Sequence, residues 1–304
     1  MLTEAARGVF TIAVTPFLPD GTLDLASVDR MTDFYVEKGA TGLTLLGMMG
    51  EAGKLTHEES LAVVARVTAR TRLPVVVGVS APGFAAMQAL AGAAMDAGAA
   101  GVMVAAPSSL KTDEQILGYF RTTAEMLGET PFVLQDFPMA TGVTIAPSVI
   151  LRIVEDCPTC VMLKHEDWPG LEKITTLRAA SDAGARRISI LCGLGGQFLP
   201  EEMGRGADGA MTGFAYPEMM ARVVELFHAG EHERMRDVFD AYLPLVRYEM
   251  QPGLGLAARK HVLARRGVIA HPTLRRPGPA LSAAAVAEVE ALVARQTARL
   301  AALD

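Results

Sequence analysis

The 304-residue sequence has no apolar run near the ~20 residues that a membrane-spanning helix needs, so no bilayer span is predicted. Its first ten residues include Glu4 and lack the apolar stretch of an export signal, which makes a cytoplasmic location the expectation. Acidic residues outnumber basic ones, giving a net charge of -6 and a pI near 5.6. This balance argues against nucleic acid or an anionic membrane surface as a partner, whereas a small anionic substrate stays compatible because a site can be locally positive.

Cysteine is also scarce, with only Cys157, Cys160 and Cys192 in the chain. The first two form a C-x-x-C, but a structural zinc site needs two more ligands, and no second His or Cys pair lies nearby in sequence. A redox pair usually opens a helix after a strand, whereas this one leads into a predicted strand. We therefore predict two reduced structural thiols here. His228 and His232 are separated by a glycine at a helix end, so no metal site is predicted there either.

Short joints between an amphipathic segment and an apolar segment recur along the chain. The runs 38–42, 97–101 and 205–209 each contain glycine and precede a short apolar stretch. Glycine suits the position just after a helix, and continuous apolar strands are typical of a buried parallel sheet. The pattern predicts a repeating β-α unit.

Eight such units fit between residues 1 and 230. Strands are predicted at 9–14, 42–46, 74–79, 101–105, 131–135, 160–164, 188–192 and 208–213. Helices are predicted at 25–38, 56–70, 84–97, 113–127, 146–155, 169–182, 197–204 and 218–229. This count predicts an α/β protein whose residues 1–230 form a (β/α)8 TIM barrel. A doubly wound sheet is the alternative, but the first strand runs into Thr15-Pro16-Phe17 rather than a glycine-rich phosphate loop.

Residues 231–304 have no strand pattern. Helices are predicted at 231–249, 254–266 and 281–302, separated by Pro252-Gly253 and by the proline-containing stretch 272–279. We interpret them as a helical C-terminal extension that packs on the barrel or on a neighbouring subunit.

Lys164 is the candidate nucleophile because it alone among the lysines closes an apolar strand run. Reactive groups of TIM barrels lie at the C-terminal ends of strands. Burial disfavours a charged ammonium, and the free amine can attack a carbonyl carbon. The structural alternative is a lysine that pairs with Glu166 or reaches solvent. The remaining lysines are expected at the solvent surface: Lys38, Lys54, Lys111, Lys173 and Lys260.

Several motifs stand in a characteristic order along the chain. They are Gly8-Val9-Phe10 with Thr15-Pro16-Phe17 and Asp20-Gly21, Gly47-Met48-Met49-Gly50-Glu51, Pro138 with Thr141-Gly142, and Gly206-Ala207-Asp208-Gly209. In this order the sequence resembles the dihydrodipicolinate synthase/N-acetylneuraminate lyase family along nearly its whole length. Lys164 stands where the Schiff-base lysine of that family belongs. The resemblance implies a tetramer of barrels and cofactor-free class I aldolase-type chemistry on pyruvate or a related 2-oxo acid.

The loop after the second strand departs from the family pattern. Members usually carry two hydroxyl residues where this sequence has Met48 and Met49, and those hydroxyls hold the substrate carboxylate. The backbone N–H groups of Met48, Met49 and Gly50 can still form a small anion nest.

Three elements of the synthase mechanism are also missing. Gln135 stands where the synthase and the lyase place a tyrosine as proton shuttle, and an amide cannot act as an acid or base near neutral pH. Gln135 is therefore predicted to orient the substrate through hydrogen bonds. Ser108-Ser109 replaces an aromatic pair, and Ala140 replaces the arginine that binds the second substrate. Dihydrodipicolinate synthase activity is therefore the disfavoured alternative.

Glu166 is the candidate replacement for the tyrosine. It lies two residues beyond Lys164, so strand alternation can place both on one face, and a carboxyl near an amine can transfer protons. Gln135-Asp136 and Lys164-x-Glu166 resemble the family's subgroup of 2-keto-3-deoxy-sugar-acid dehydratases, such as the L-2-keto-3-deoxyarabonate dehydratases.

Further residues are expected near the substrate. Thr15 at the end of strand one, Gly193 after strand seven and Met211 on strand eight are predicted to bind it. Asp136 and Asp167 are candidates for supporting positions, and His165 is expected to pack among the helices.

The sequence therefore predicts a Schiff-base lyase that needs neither a metal nor another cofactor. Its substrate is a 2-oxo acid, and the reaction is either the dehydration of a 2-keto-3-deoxy sugar acid or an aldol cleavage. A barrel that binds 2-oxo acids without catalysis is the non-enzymatic alternative, which the buried amine of Lys164 disfavours.

Overall fold

The predicted barrel is confirmed by a computed structural model, which describes residues 1–168 and 170–303. Eight parallel strands close on one another in sequence order, with β8 paired to β1. They are β1 Gly8–Ile12, β2 Gly42–Leu45, β3 Val75–Gly78, β4 Gly101–Ala105, β5 Phe132–Asp136, β6 Cys160–His165, β7 Ser189–Cys192 and β8 Gly209–Ala210.

The last strand is shorter than its prediction of 208–213, although its hydrogen bonds continue beyond Ala210. The Met211 N–H donates to the Cys192 carbonyl over 2.8 Å, and the Ile12 N–H donates to the Thr212 carbonyl over 2.9 Å. The chain after β8 is therefore held between β7 and β1 as far as Thr212.

The helices of the barrel follow the predicted order. They are α1 Leu25–Glu37, α2 His57–Arg70, α3 Phe84–Asp96, α4 Asp113–Leu127, α5 Pro138–Thr141, α6 Pro147–Asp156, α7 Leu171–Asp182, α8 Leu199–Gly204 and α9 Pro217–His228. The short α5 was not predicted; it begins at a proline, which suits the first helical position. The predicted start of α7, Pro169, lies outside the described residues.

Side-chain caps explain where three of these helices begin. Thr56 and Thr112 each complete a reciprocal capping box, and the Asp24 carboxylate accepts from the Ser27 N–H. Each cap satisfies backbone N–H groups that have no partner within the first helical turn.

The core has two layers, because alternate strand residues face the barrel interior and the surrounding helices. The interior is filled by Leu2, Phe10, Ile12, Val76, Ala100, Met103, Val133, Val161, Met162, Leu191 and Met211. Val133 and Met162 are each two residues before the polar residues Gln135 and Lys164. The alternation therefore brings Gln135 and Lys164 to the interior, at the C-terminal ends of β5 and β6.

The extension consists of α10 His232–Glu249, α11 Gly255–Arg265 and α12 Ala283–Leu300. Lys260 on α11 is buried, and its Nζ donates to the Thr15 carbonyl over 2.7 Å and to Glu51 over 2.5 Å. The surface position predicted for Lys260 is therefore wrong, because the helix carries this lysine onto loops at the mouth of the barrel. None of the described helices is long and apolar enough to cross a membrane.

Candidate active site

Lys164 and Gln135 are neighbours across two paired strands. Gln135 on β5 is in register with Lys164 on β6, and Lys164 is in register with Leu191 on β7. Lys164 is 5% exposed and Gln135 is also 5% exposed. The register places an amine and an amide side by side in the mouth of the barrel, where little water reaches them.

Glu166 joins the two side chains. Its Oε2 accepts from the Gln135 Nε2 over 2.7 Å and lies 2.8 Å from the Lys164 Nζ. Its own N–H donates to the Asp136 carbonyl, so the chain still follows β5 after β6 ends. A carboxylate at this distance can accept a proton from the Lys164 ammonium, which leaves a nucleophilic amine.

The surrounding cavity is small, at about 40 Å³. The sequence-predicted residues Met48, Met49, Gln135, Lys164 and Glu166 line it. The other lining residues are Ile12, Phe137, Leu194, Gly195, Thr212, Gly213, Met250 and Arg259, of which Leu194 and Gly195 belong to the run that begins at the predicted Gly193. A pattern based on strand ends cannot find Met250 and Arg259, because they come from the C-terminal extension.

The loop after β2 forms two successive 3-10 turns, at Met48–Gly50 and at Ala52–Lys54. The Gly50 N–H donates to the Gly47 carbonyl over 2.9 Å, which removes it from the predicted anion nest. Thr15 is buried beside this loop, and its hydroxyl donates to the Gly50 carbonyl over 2.6 Å. Thr15 therefore fixes the loop, while Met48 and Met49 face the cavity.

Gly193 and Met211 lie next to the cavity without lining it. A Cβ built on Gly193 would lie 2.1 Å from the Glu166 Cγ, so a glycine is needed there. Met211 is fully buried in the barrel interior, and its N–H donates to the Cys192 carbonyl at the end of β7. Its successors Thr212 and Gly213 reach the cavity, and the Thr212 hydroxyl accepts from the Gly195 N–H over 2.8 Å.

Behind β5 and β6, Lys173 binds both supporting carboxylates. Its Nζ lies 2.7 Å from Asp136 and 2.7 Å from Asp167, and it donates to the Ile145 carbonyl over 2.8 Å. The predicted surface position of Lys173 is thus wrong, because its helix places it over the buried Asp136 and the partly exposed Asp167. Burial raises the pKa of Asp136 to about 6, although Lys173 opposes the shift.

His165 lies with these residues on the helix side of β6, as predicted. Burial, with Lys173 nearby, lowers its pKa to about 4, so the imidazole is neutral at neutral pH. A Cβ on Gly170 would lie 2.2 Å from the His165 Nε2. His165 therefore packs against the start of α7, away from the amine of Lys164.

The cysteines are free thiols buried in the core, as predicted for Cys157 and Cys160. Burial raises the pKa of Cys160 to about 12, so its thiol stays protonated and unreactive.

Comparison with known proteins shows which family this chain resembles in sequence and fold. The model of the dihydrodipicolinate synthetase family matches residues 5–296. The L-2-keto-3-deoxyarabonate dehydratase of Azospirillum brasilense is 28% identical over 306 residues, which cover 96% of this chain and 95% of that enzyme. The 4-hydroxy-tetrahydrodipicolinate synthase 1 of Streptomyces coelicolor is 32% identical over 265 residues, covering 85% and 84%.

Among solved structures, a dihydrodipicolinate synthase from Rhodopseudomonas palustris is similar over nearly the whole chain. Its crystal structure superimposes with a TM-score of 0.95 at 55% sequence identity, covering 97% of this chain and 99% of that one. The barrel, the extension and their arrangement are therefore common to both proteins.

Proposed function

The chain belongs to the dihydrodipicolinate synthetase family of Schiff-base lyases, and we propose that it dehydrates a 2-keto-3-deoxy sugar acid. Aldol cleavage of the same class of 2-oxo acid is the alternative lyase reaction. The observation that carries the proposal is the buried Glu166 carboxylate, which binds both Lys164 and Gln135.

Glu166 supplies a group that can accept and donate a proton, which the amide of Gln135 cannot do. None of the described residues that line the cavity is a tyrosine, whereas the Glu166 Oε2 lies within proton-transfer distance of the Lys164 Nζ. Gln135 donates a hydrogen bond to the same oxygen and orients the carboxylate. One carboxyl group can thus act first as a base and then as an acid.

The reaction begins when Glu166 takes a proton from the Lys164 ammonium. The free amine adds to the C2 carbonyl carbon to form a carbinolamine. Its oxygen takes one proton from the amine nitrogen and one from Glu166 and leaves as water, which gives the iminium and restores the Glu166 carboxylate. The cation withdraws electrons from C3, so Glu166 can remove a C3 proton and form the enamine. The enamine electron pair then breaks the C4–O bond, and the proton on Glu166 leaves with that oxygen as water. Hydrolysis of the unsaturated iminium releases the product and restores Lys164.

Substrate contacts complete the proposal. We assign Met48 and Met49 to the substrate carboxylate through their backbone N–H groups. Thr15, Gly50, Gly193 and Met211 support the binding site from positions around the cavity. Two methionines bring apolar bulk to this loop where two hydroxyls would bring hydrogen bonds, which favours a substrate other than that of the synthase.

The true synthase activity is the alternative, and the 55% identical protein from Rhodopseudomonas palustris bears that name. That reaction needs another group to do the work of the missing tyrosine and arginine. Turnover of pyruvate with aspartate semialdehyde would establish it and would refute the role that we give to Gln135 and Glu166.

The test is to trap the Schiff base. The protein is incubated with pyruvate or with a 2-keto-3-deoxy pentonate, reduced with borohydride, and digested so that mass spectrometry locates the adduct. We expect an adduct on Lys164 with both compounds, turnover of the sugar acid alone, and no adduct in Lys164→Ala. A wild-type protein without any adduct at Lys164 would leave only the non-catalytic binding barrel.

The oligomeric state and the cellular location that we propose rest on the family resemblance and not on contacts within this chain. We propose a cytoplasmic homotetramer that acts on its small-molecule substrate without nucleic acid or membrane as partner. Sedimentation velocity measures the oligomeric state, and a monomer at micromolar concentration would contradict the proposed tetramer.

A further inference from the structure

Arg259 is a buried cation at the active-site cavity that sequence reasoning did not single out. It lies on α11 of the extension, is 1% exposed and lines the cavity together with Lys164 and Glu166. Among the described residues that line the cavity, these are the three charged side chains.

One edge of the Arg259 guanidinium forms a buried ion pair with Glu249. Its Nε donates to the Glu249 Oε2 over 2.8 Å, and both side chains are 1% exposed. The other Glu249 oxygen faces the Ala215 N–H at 3.4 Å. The ion pair therefore anchors the guanidinium and sets its orientation.

The other edge has a buried N–H group without a partner. Within residues 1–168 and 170–303, the Arg259 Nη1 forms no hydrogen bond. An unsatisfied buried donor is costly, and such groups are rare in folded proteins. Gly213 permits this arrangement, since a Cβ there would lie 2.4 Å from the Nη1 and 3.0 Å from the Ile12 carbonyl oxygen.

The position of this N–H relative to Glu166 indicates what it binds. Gly213 follows β8 and touches β1, whereas Gln135 and Glu166 lie at the ends of β5 and β6, across the eight-stranded barrel. Glu166 repels an anionic group, which disfavours a carboxylate on its side of the cavity. The free edge of Arg259 lies on the other side, and carboxylates are a preferred partner of a guanidinium.

We propose that Arg259 binds the C1 carboxylate of the 2-oxo acid and replaces the two hydroxyls that Met48 and Met49 displaced. This inference rests on the proposed function, because the substrate must be a 2-oxo acid. It assigns part of the specificity of the site to the C-terminal extension. The Glu249 carboxylate is then a positioning group that acts through Arg259.

The experiment compares two carbonyl compounds that differ in the carboxylate. Pyruvate has it and hydroxyacetone lacks it, and both can form a borohydride-reducible adduct with Lys164. In Arg259→Gln we expect the pyruvate concentration for half-maximal trapping to rise about tenfold or more. For hydroxyacetone we expect a change of less than about twofold, with full trapping of both compounds at saturation.

Two further variants separate binding from folding. Arg265→Gln makes the same charge change on the same helix, at an exposed arginine that pairs with Glu290, and should leave both compounds unaffected. If Arg259→Gln fails to fold because Glu249 is left buried and unpaired, Glu249→Gln with Arg259→Gln restores a neutral pair for the same measurement.

The outcomes are distinct. Equal losses for pyruvate and hydroxyacetone would reduce Arg259 to a structural role, and an unchanged pyruvate dependence would overturn the proposal. If the wild-type protein forms no adduct with either compound, the proposed Schiff-base function fails. Calorimetric titration of the wild-type protein and Arg259→Gln with pyruvate then still tests carboxylate binding, since equal affinities overturn the role of Arg259.

Discussion

Gly193 lies directly against the side chain of Glu166, so that a Cβ on Gly193 would come within 2.1 Å of the Glu166 Cγ and 2.5 Å of its Oε1. The Gly193 φ is -103°, which residues with a side chain also adopt. The need for glycine is thus steric, and it comes from the carboxylate that reaches Lys164.

Gly193→Ala should displace Glu166 from Lys164 and Gln135. We expect kcat for the sugar acid to fall by about tenfold to a hundredfold, because proton transfer depends on a short and well-aligned contact. Trapping of pyruvate on Lys164 should persist. Gly204→Ala is the control, since a Cβ there would meet nothing within 4 Å. Equal activity of Gly193→Ala and the wild type would show that Glu166 keeps its catalytic position without a glycine at residue 193.

Glu166→Gln should separate Schiff-base formation from turnover. The amide keeps the size of the side chain but cannot carry a proton, so we expect kcat to fall by about a hundredfold to ten-thousandfold. The adduct on Lys164 should still form with pyruvate, more slowly. Single-turnover trapping and steady-state rates measure the two effects. Loss of the adduct in this variant would reduce Glu166 to an ion-pair partner of Lys164.

Lys173→Met should destabilise the fold without touching the cavity. Asp136 is completely buried, and removal of Lys173 leaves its carboxylate without its cation. We expect the free energy of unfolding to fall by about 3–5 kcal/mol, as for other broken buried ion pairs. Urea denaturation measures it, with Lys111→Met at an exposed lysine as the control. Similar midpoints for both variants would contradict the structural role of Lys173.

Glu202 should make stability depend on pH. Burial raises its pKa from 4.5 to about 8, so between these values the folded protein holds a proton that the unfolded chain releases. The free energy of unfolding should therefore fall as pH rises from about 5 to 8, by at most about 1.4 kcal/mol per pH unit from this group.

Glu202→Gln removes the titratable carboxyl group and should make the free energy of unfolding depend less on pH between about 5 and 8. Urea midpoints at several pH values for the wild type, Glu202→Gln and the exposed neighbour Glu201→Gln isolate the effect. Parallel curves for the wild type and Glu202→Gln would show that Glu202 titrates normally.

The sequence alone determined the barrel, because apolar strands and amphipathic helices each have a period that can be read directly from residue order. It also determined the candidate nucleophile, since a lysine that ends an apolar strand has few alternatives in such a fold. The pairing with Glu166 followed from strand alternation, and the structure places the two side chains 2.8 Å apart.

Only the tertiary structure decided which residues from distant parts of the chain complete the site. Arg259 and Met250 reach the cavity because the extension packs over the barrel mouth, and no local period encodes that packing. Lys173 and Lys260 look like surface lysines in the sequence, yet buried carboxylates on other elements hold them inside. Unlike Lys164 and Glu166, the buried pairs Arg259–Glu249, Lys260–Glu51 and Lys173–Asp136 join residues 10 or more positions apart, so they depend on how the elements meet.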